Sequence, residues 1–185
     1  MHFTRTSLPG VVVVDVDKLE DMRGFFARTW CSREFQEHGL APEMVQASVA
    51  FNKRKGTLRG IHFQAPPRRE ARLVRCTAGA AFVVVVDLRP DRESFKRIVD
   101  VVLSSTNHSA LYVPPGVGLG YQTLQDNTEI LYQMSQYYDP TGAAGFRWDD
   151  PAFGIEWPDD NRTILERDRT YPDFDEVRIQ GFAGY

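Results

Sequence analysis

The chain has 185 residues, 42% of them hydrophobic, enough to bury a sizeable core within one domain spanning 1–185. A formal net charge of −3 gives no overall attraction to nucleic acid, and the basic runs Lys53-Arg54-Lys55 and Arg68-Arg69 are short enough to be solvated loops. Cys31 and Cys76 are too few for a disulfide framework, no apolar run is long enough to span a bilayer, and Met1–Arg5 lacks a secretory core, so the expectation is a cytoplasmic protein with no membrane partner.

In chain order, Val11–Val16 follows Pro9-Gly10 and reads as a strand. Asp21–Gly24 is turn-like, and Phe25–Trp30 reads as a second strand. Ser32–Gly39 predicts a short helix with Ser32 as its N-cap and Gly39 just past its end. From Val45 onward short apolar stretches recur, divided mostly by Gly or Pro: 45–52, 56–63, 71–76, 80–87, 99–104, 109–113, 121–124 and 129–137. Many short strands with little helix between them predict an all-β fold, a β-sandwich or jelly roll. The tail from Ala152 is expected to wrap the barrel and to add a short helix near Asp173–Val177.

Candidate chemistry is narrowed by what is missing. The four histidines, His2, His38, His62 and His108, are scattered, which argues against a metal site. No Gly-rich loop opens a helix, and no Gly-x-Ser-x-Gly elbow occurs, so dinucleotide, kinase and serine-hydrolase chemistry lose support. Acid–base chemistry remains. His62 is the one histidine inside a strong strand pattern, and by itself it reads as a satisfied core or turn histidine before it reads as a base. A strict strand sets Leu58, Gly60 and His62 on one face and Arg59, Ile61 and Phe63 on the other; a bend at Gly60 would reunite Arg59 with His62. Tyr132, Tyr137 and Tyr138 read as packed aromatics, and Asp168 as part of a solvated charge run.

Taken together, these stretches resemble the dTDP-4-dehydrorhamnose 3,5-epimerase family. The resemblance rests on Asp21-Met22-Arg23-Gly24-Phe25-Phe26, on Gly56–Gln64 as Gly-x-Leu-Arg-Gly-x-His-Phe-Gln, and on Leu73-Val74-Arg75-Cys76. Val86-Asp87-Leu88-Arg89, Tyr112–Gly116, Tyr137-Tyr138-Asp139-Pro140, Trp148–Pro151 and Gly154–Pro158 follow in family order. The resemblance implies a cupin-like double-stranded β-helix without a required cofactor, a homodimer, and inversion of carbons beside the 4-keto group of a dTDP-4-keto-6-deoxyhexose. It makes His62 the base, Asp168 its orienting carboxylate and Tyr132 the acid on the opposite face. Arg72 stands where the family has a lysine beside the 4-keto oxygen. Arg59, Gln46 and Phe26 fall in the substrate-binding set, Arg23 and Arg167 near the nucleotide, and Tyr138 on the thymine.

The chain also departs from the family pattern. Leu119 replaces a second pocket histidine and Val83 an aspartate, and the two are expected to face each other. Ala143 replaces a glutamate, Ser48 an asparagine after Gln46, and Arg28 a frequent glutamate. These changes keep three further readings open: epimerisation at C3 alone, a 3,4-ketoisomerase, and a non-catalytic nucleotide-sugar binding protein.

Overall fold

The computed structural model describes residues 1–183. Fourteen strands follow one another: β1 (His2–Arg5), β2 (Val12–Asp15), β3 (Leu19–Asp21), β4 (Gly24–Phe26), β5 (Gln46–Asn52), β6 (Thr57–Gln64), β7 (Arg72–Ala78), β8 (Ala80–Asp87), β9 (Ile98–Ser104), β10 (Ala110–Val113), β11 (Val117–Thr123), β12 (Thr128–Met134), β13 (Ala143–Gly145) and β14 (Thr163–Ile164). Helices are short: α1 (Ser32–Glu37), α2 (Glu166–Arg169) and a 3-10 helix over Glu176–Phe182. One six-stranded sheet runs β1-β2-β10-β7-β12-β5; the other runs β13-β6-β11-β8-β9, with β14 added on β6. The architecture is the predicted jelly roll.

Alternation builds the core. Val74, Cys76, Leu111 and Ile130 from the first sheet meet Val83, Val85, Leu119 and Tyr121 from the second. On the first sheet's outer face Leu73, Val14 and Tyr112 pack on Phe35 of α1. The valine run of β8 is unbroken because both its faces are covered: Val84 and Val86 turn outward onto Phe146, Trp157, Ile179 and Phe182 of the tail, which wraps this sheet as predicted. The Val86–Arg89 motif is structural, since fully buried Asp87 accepts hydrogen bonds from Arg89 Nε at 2.7 Å, Arg89 Nη2 at 2.6 Å and Ser94 Oγ at 2.6 Å.

Several boundaries differ from the prediction. The strand expected over Phe25–Trp30 is only Gly24–Phe26, paired with β3 in a two-stranded hairpin that neither large sheet extends. The N-cap of α1 is Cys31 rather than Ser32, without a side-chain bond. Its C-terminus follows the prediction: Gly39, at φ +72, donates to Gln36 O at 3.0 Å, and Leu40 donates to Phe35 O at 2.9 Å, closing a Schellman motif. β11 begins at Val117, earlier than expected, because Gly118 and Gly120 are strand residues rather than turn residues. A Cβ on either would come within 2.8 Å or 2.5 Å of the Ile61 side chain. The helix expected near 173–177 is the 3-10 segment, shifted toward the C-terminus.

One irregularity aligns the pocket. Between β6 and β11, Leu119 pairs with His62 and Tyr121 with Arg59, so three steps on β6 oppose two on β11. This bulge is centred on Gly60, whose φ of +121 disfavours side chains and whose Cβ would lie 2.5 Å from Gly120 Cα. It replaces the strict alternation expected for this strand. Leu58, Ile61 and Phe63 now share the tail-facing core, while Arg59 and His62 turn the other way.

Candidate active site

His62, Tyr132 and Arg72 line a cavity of about 250 Å³ between the sheets, with Tyr138, Met134 and Leu119 on its walls. Asp168 lies behind His62. Its carboxylate is buried, not part of a solvated run, and Oδ1 stands 3.0 Å from His62 Nε2. Oδ2 accepts the Gly60 N–H at 3.2 Å, and Oδ1 also accepts Arg167 Nε at 3.1 Å. Burial pushes the Asp168 carboxyl up, but the His62 hydrogen bond and charge, with the donors of Gly60 and Arg167, outweigh it and hold it below its usual value. An ionised carboxylate only accepts, so Nε2 of His62 carries the proton. Arg167 Nη2, 3.4 Å from Nε2, is then a charge neighbour rather than a donor. In the neutral form of the ring the unprotonated nitrogen is then Nδ1.

Tyr132 projects from β12, opposite Ser48 of β5 and Val74 of β7. Burial, then the neighbouring Tyr121 hydroxyl, pushes its phenol well above its usual value, against the pull of Arg72 and Arg59. A chain of polar groups extends from it. Tyr121 donates to Asn52 Oδ1 at 3.2 Å, and Arg59 Nε donates to the same oxygen at 3.0 Å. Asn52, almost wholly buried, is also anchored through Nδ2 to Ala50 O and Thr128 O, both at 3.1 Å.

Arg72 Nε donates to Glu70 Oε1 at 2.6 Å, and the Glu70 side chain is only 5% exposed. Gln64 Oε1 is buried at the cavity with no hydrogen-bond partner. Tyr171 meets the His62 ring edge-on at 6.0 Å and packs so closely on Gly145 that a Cβ there would sit 2.8 Å from the ring. Glu70, Asn52, Tyr121 and Tyr171 were absent from the sequence-derived set. Only Tyr171, three residues past Asp168, carried a local signal.

The remaining predicted residues divide by position. Arg167 and Tyr138 line the cavity, and Gln46 adjoins it by accepting the Tyr138 N–H at 2.9 Å. Arg59 reaches it through the Asn52 network. Arg23 and Phe26 lie elsewhere, on the β3–β4 hairpin: Arg23 pairs with Asp21 at 2.5 Å, and Phe26 is 73% exposed. Leu119 and Val83 do not face each other as expected. Leu119 pairs across the strands with Val85, while Val83 pairs with Tyr121, a diagonal relation on one face. Leu119 lines the cavity, and Val83 is fully buried beneath it. Ala143 lines the cavity opposite Gln64.

A larger cavity of about 470 Å³ lies among Arg147, Trp148, Arg162 and Arg169. Its carboxylates Asp149 and Asp160 already pair with Arg147 and Arg162, each at 2.8 Å, and no histidine lines it, so volume does not mark the chemistry. Among the described residues no three His, Cys, Asp or Glu side chains group as metal ligands, and no helix is long and apolar enough to cross a membrane.

The family model for dTDP-4-dehydrorhamnose 3,5-epimerase matches residues 5–176. The chain belongs to this family of isomerases. It is 34% identical over 180 residues to the dTDP-4-dehydrorhamnose 3,5-epimerase of Sinorhizobium fredii, covering 97% of this chain and 92% of that one. The crystal structure of the Bacillus anthracis epimerase with TDP and PPi bound superposes with a TM-score of 0.91 at 31% identity, over 94% of this chain and 99% of the other. ChmJ, a 3′-monoepimerase from Streptomyces bikiniensis solved with dTDP-quinovose, gives 0.86 at 28% identity, over 95% and 88%.

Proposed function

We propose that this protein epimerises a dTDP-4-keto-6-deoxyhexose at C3, C5 or both. The observation that carries the reading is the His62–Asp168 pair, 3.0 Å apart, at a cavity whose other wall holds Tyr132. The 4-keto group acidifies the neighbouring C–H bonds. His62 Nδ1 takes the proton, and the C–H electron pair moves onto the keto oxygen as an enolate. The imidazolium is stabilised by Asp168. Arg72 offsets the enolate charge, with Glu70 fixing its Nε. Tyr132 stays protonated because its phenol is raised, and it returns a proton to the same carbon from the other face. Arg59 and Arg72 then favour its transient phenolate.

The nucleotide falls to Arg167 and Tyr138, and the unpaired Gln64 Oε1 offers an acceptor to a ligand N–H or O–H. Arg23 and Phe26 cannot join this cavity from their own hairpin without refolding it. They serve a second copy: the protein acts as a homodimer in which each β3–β4 hairpin reaches its partner's nucleotide. Met22 at the hairpin tip is 100% exposed, and Val49 and Phe51 on edge strand β5 are 55% and 50% exposed, the kind of apolar surface a partner covers. Free Cys31 and buried free Cys76 suit the reducing cytoplasm we assign it to.

Incubation with dTDP-4-keto-6-deoxyglucose in D2O tests the reading. Deuterium at C3 or C5, with the 4-keto group retained by NMR, is the expected result. No incorporation at either carbon, or a keto group moved to C3, rejects it. The apolar Leu119 wall favours C3 exchange over C5 as a second reading, and the ratio of label at the two carbons measures it.

A further inference from the structure

On the outer face of the first sheet, behind the hairpin, Arg75 of β7 is 9% exposed. Its guanidinium donates to His108 O and, at 3.4 Å, to Thr29 O, both neutral backbone carbonyls. Among the described residues it forms no ion pair. Asp15 is near enough for its charge to be felt, but its Oδ1 accepts Ser109 Oγ at 2.5 Å. A buried cation is ordinarily matched by a counter-charge, because desolvation otherwise costs several kcal/mol.

Beside Arg75 lies a cavity of about 190 Å³, walled by Phe25, Thr29, Thr77, Ser105 and His108 and by no carboxylate. Lys18 stands over the Phe25 ring at 4.9 Å, and Phe25 meets the His108 ring at 4.8 Å. Glu129 is the acid at the margin, and it accepts Thr77 Oγ1 at 2.7 Å. Burial, then Lys18 and Arg75, pushes the His108 imidazole below its usual value.

We propose that this cavity is a binding site for a small tetrahedral oxoanion, phosphate or sulfate, seated on Arg75 and His108 with Lys18 at its mouth. The donors are of the right kind: a guanidinium suits oxoanions, and Thr29 adds a hydroxyl. At about 190 Å³ the cavity has room for an inorganic oxoanion. Phe25 lies in the second strand of the hairpin and Thr29 just beyond it, so an occupant fastens the segment that carries Arg23 and Phe26.

Sulfate is the probe, because it stays a dianion across the titration. It is added to the full chain carrying labelled histidines, with chloride holding ionic strength constant, and the ring resonances are followed against pH. His108→Gln assigns the signal. The expected result is a saturable rise in the His108 pKa of about one pH unit, as for a group gaining an opposite charge. Arg75→Met removes this rise, and Lys18→Gln, an exposed change that leaves the fold intact, weakens sulfate binding several-fold. Perturbation of His62 without His108, a non-saturating drift matched by chloride, or a response unchanged in Lys18→Gln overturns the proposal. So does a His108 already raised without sulfate and lowered by dilution, which would mean that a carboxylate of a second copy fills the site.

Discussion

Asp168 Oδ1 holds His62 Nε2 at 3.0 Å while its other oxygen accepts the Gly60 N–H at 3.2 Å, so one carboxylate fixes both the base and the bulge beneath it. Asp168→Asn turns an acceptor into a group that can donate to Nε2. The ring proton then moves to Nδ1, the atom assigned to proton abstraction. We expect kcat to fall by roughly 10²- to 10⁴-fold with a smaller change in KM. The stability effect has a definite sign. The Asp168 carboxyl is held below its usual 3.8, so its contribution is present above that value and is lost as pH falls through the lower folded-state value. Wild type should therefore exceed Asp168→Asn in urea midpoint near neutral pH, by about 1.5–3 kcal/mol for hydrogen bonds to a charge, and the gap should close in acid. A gap that persists unchanged at low pH would refute the electrostatic account.

Leu119 and Val83 lie diagonally on one buried face, and cross-strand diagonal neighbours can still touch. Leu119→His puts an imidazole where no partner waits, at a cost of about 1–3 kcal/mol. Val83→Asp places a carboxylate at a 0% exposed position and costs more. The double variant should recover part of both losses, with a coupling of about 0.5–3 kcal/mol in a denaturation cycle. Strict additivity would mean that the two side chains do not meet.

The strand pattern was legible because period-two alternation and Gly or Pro turns are local signals. The wrapping of the tail from Ala152 was legible in outline too, from its turn-rich run around Trp157-Pro158 and Asp159-Asp160. What escaped was set by distant partners. Val117–Gly120 looks like a turn until Ile61 supplies the reason for its glycines. Asp168 looks solvated until α2 folds it behind His62. Asn52 ends a strand and gives no hint that Arg59 and Tyr121 converge on it. Motif order pointed to His62 and Tyr132, which line one cavity, yet it could not reveal that Arg23 and Phe26 sit on a projecting hairpin outside their own chain's cavity.

Glu70 and Arg72 form a nearly buried pair, their side chains 5% and 15% exposed. Arg72→Ala should be destabilising by about 3–5 kcal/mol, since it strands the Glu70 charge. Glu70→Gln with Arg72→Lys removes the stranded carboxylate and keeps a cation, so it should fold close to wild type. Thermal melts check the stability order. If the cation faces the enolate, the double variant should retain far more kcat than Arg72→Ala combined with Glu70→Gln.

Gly60 is where backbone and chemistry meet. Its φ is +121, and a Cβ would lie 2.5 Å from Gly120 Cα and 2.9 Å from Leu119 O, both backbone atoms that cannot step aside cheaply. Gly60→Ala should therefore cost more than ~1 kcal/mol, the level at which an incompatible alanine begins to tell. The loss should also reach the site, because the Gly60 N–H is one of the donors holding Asp168 ionised. Weakening it raises the Asp168 carboxyl toward its ordinary value and loosens the hold on His62. The predicted signature is a drop in kcat together with a stability loss that is largest near neutral pH and narrows in acid, where the Asp168 carboxyl is protonated. Gly120→Ala, which crowds Ile61 Cδ1 at 2.5 Å from the opposite strand, supplies the contrast. It should destabilise the fold comparably, but by a similar amount across pH and with a smaller drop in kcat. The two variants separate a packing defect from the loss of a catalytic hydrogen bond.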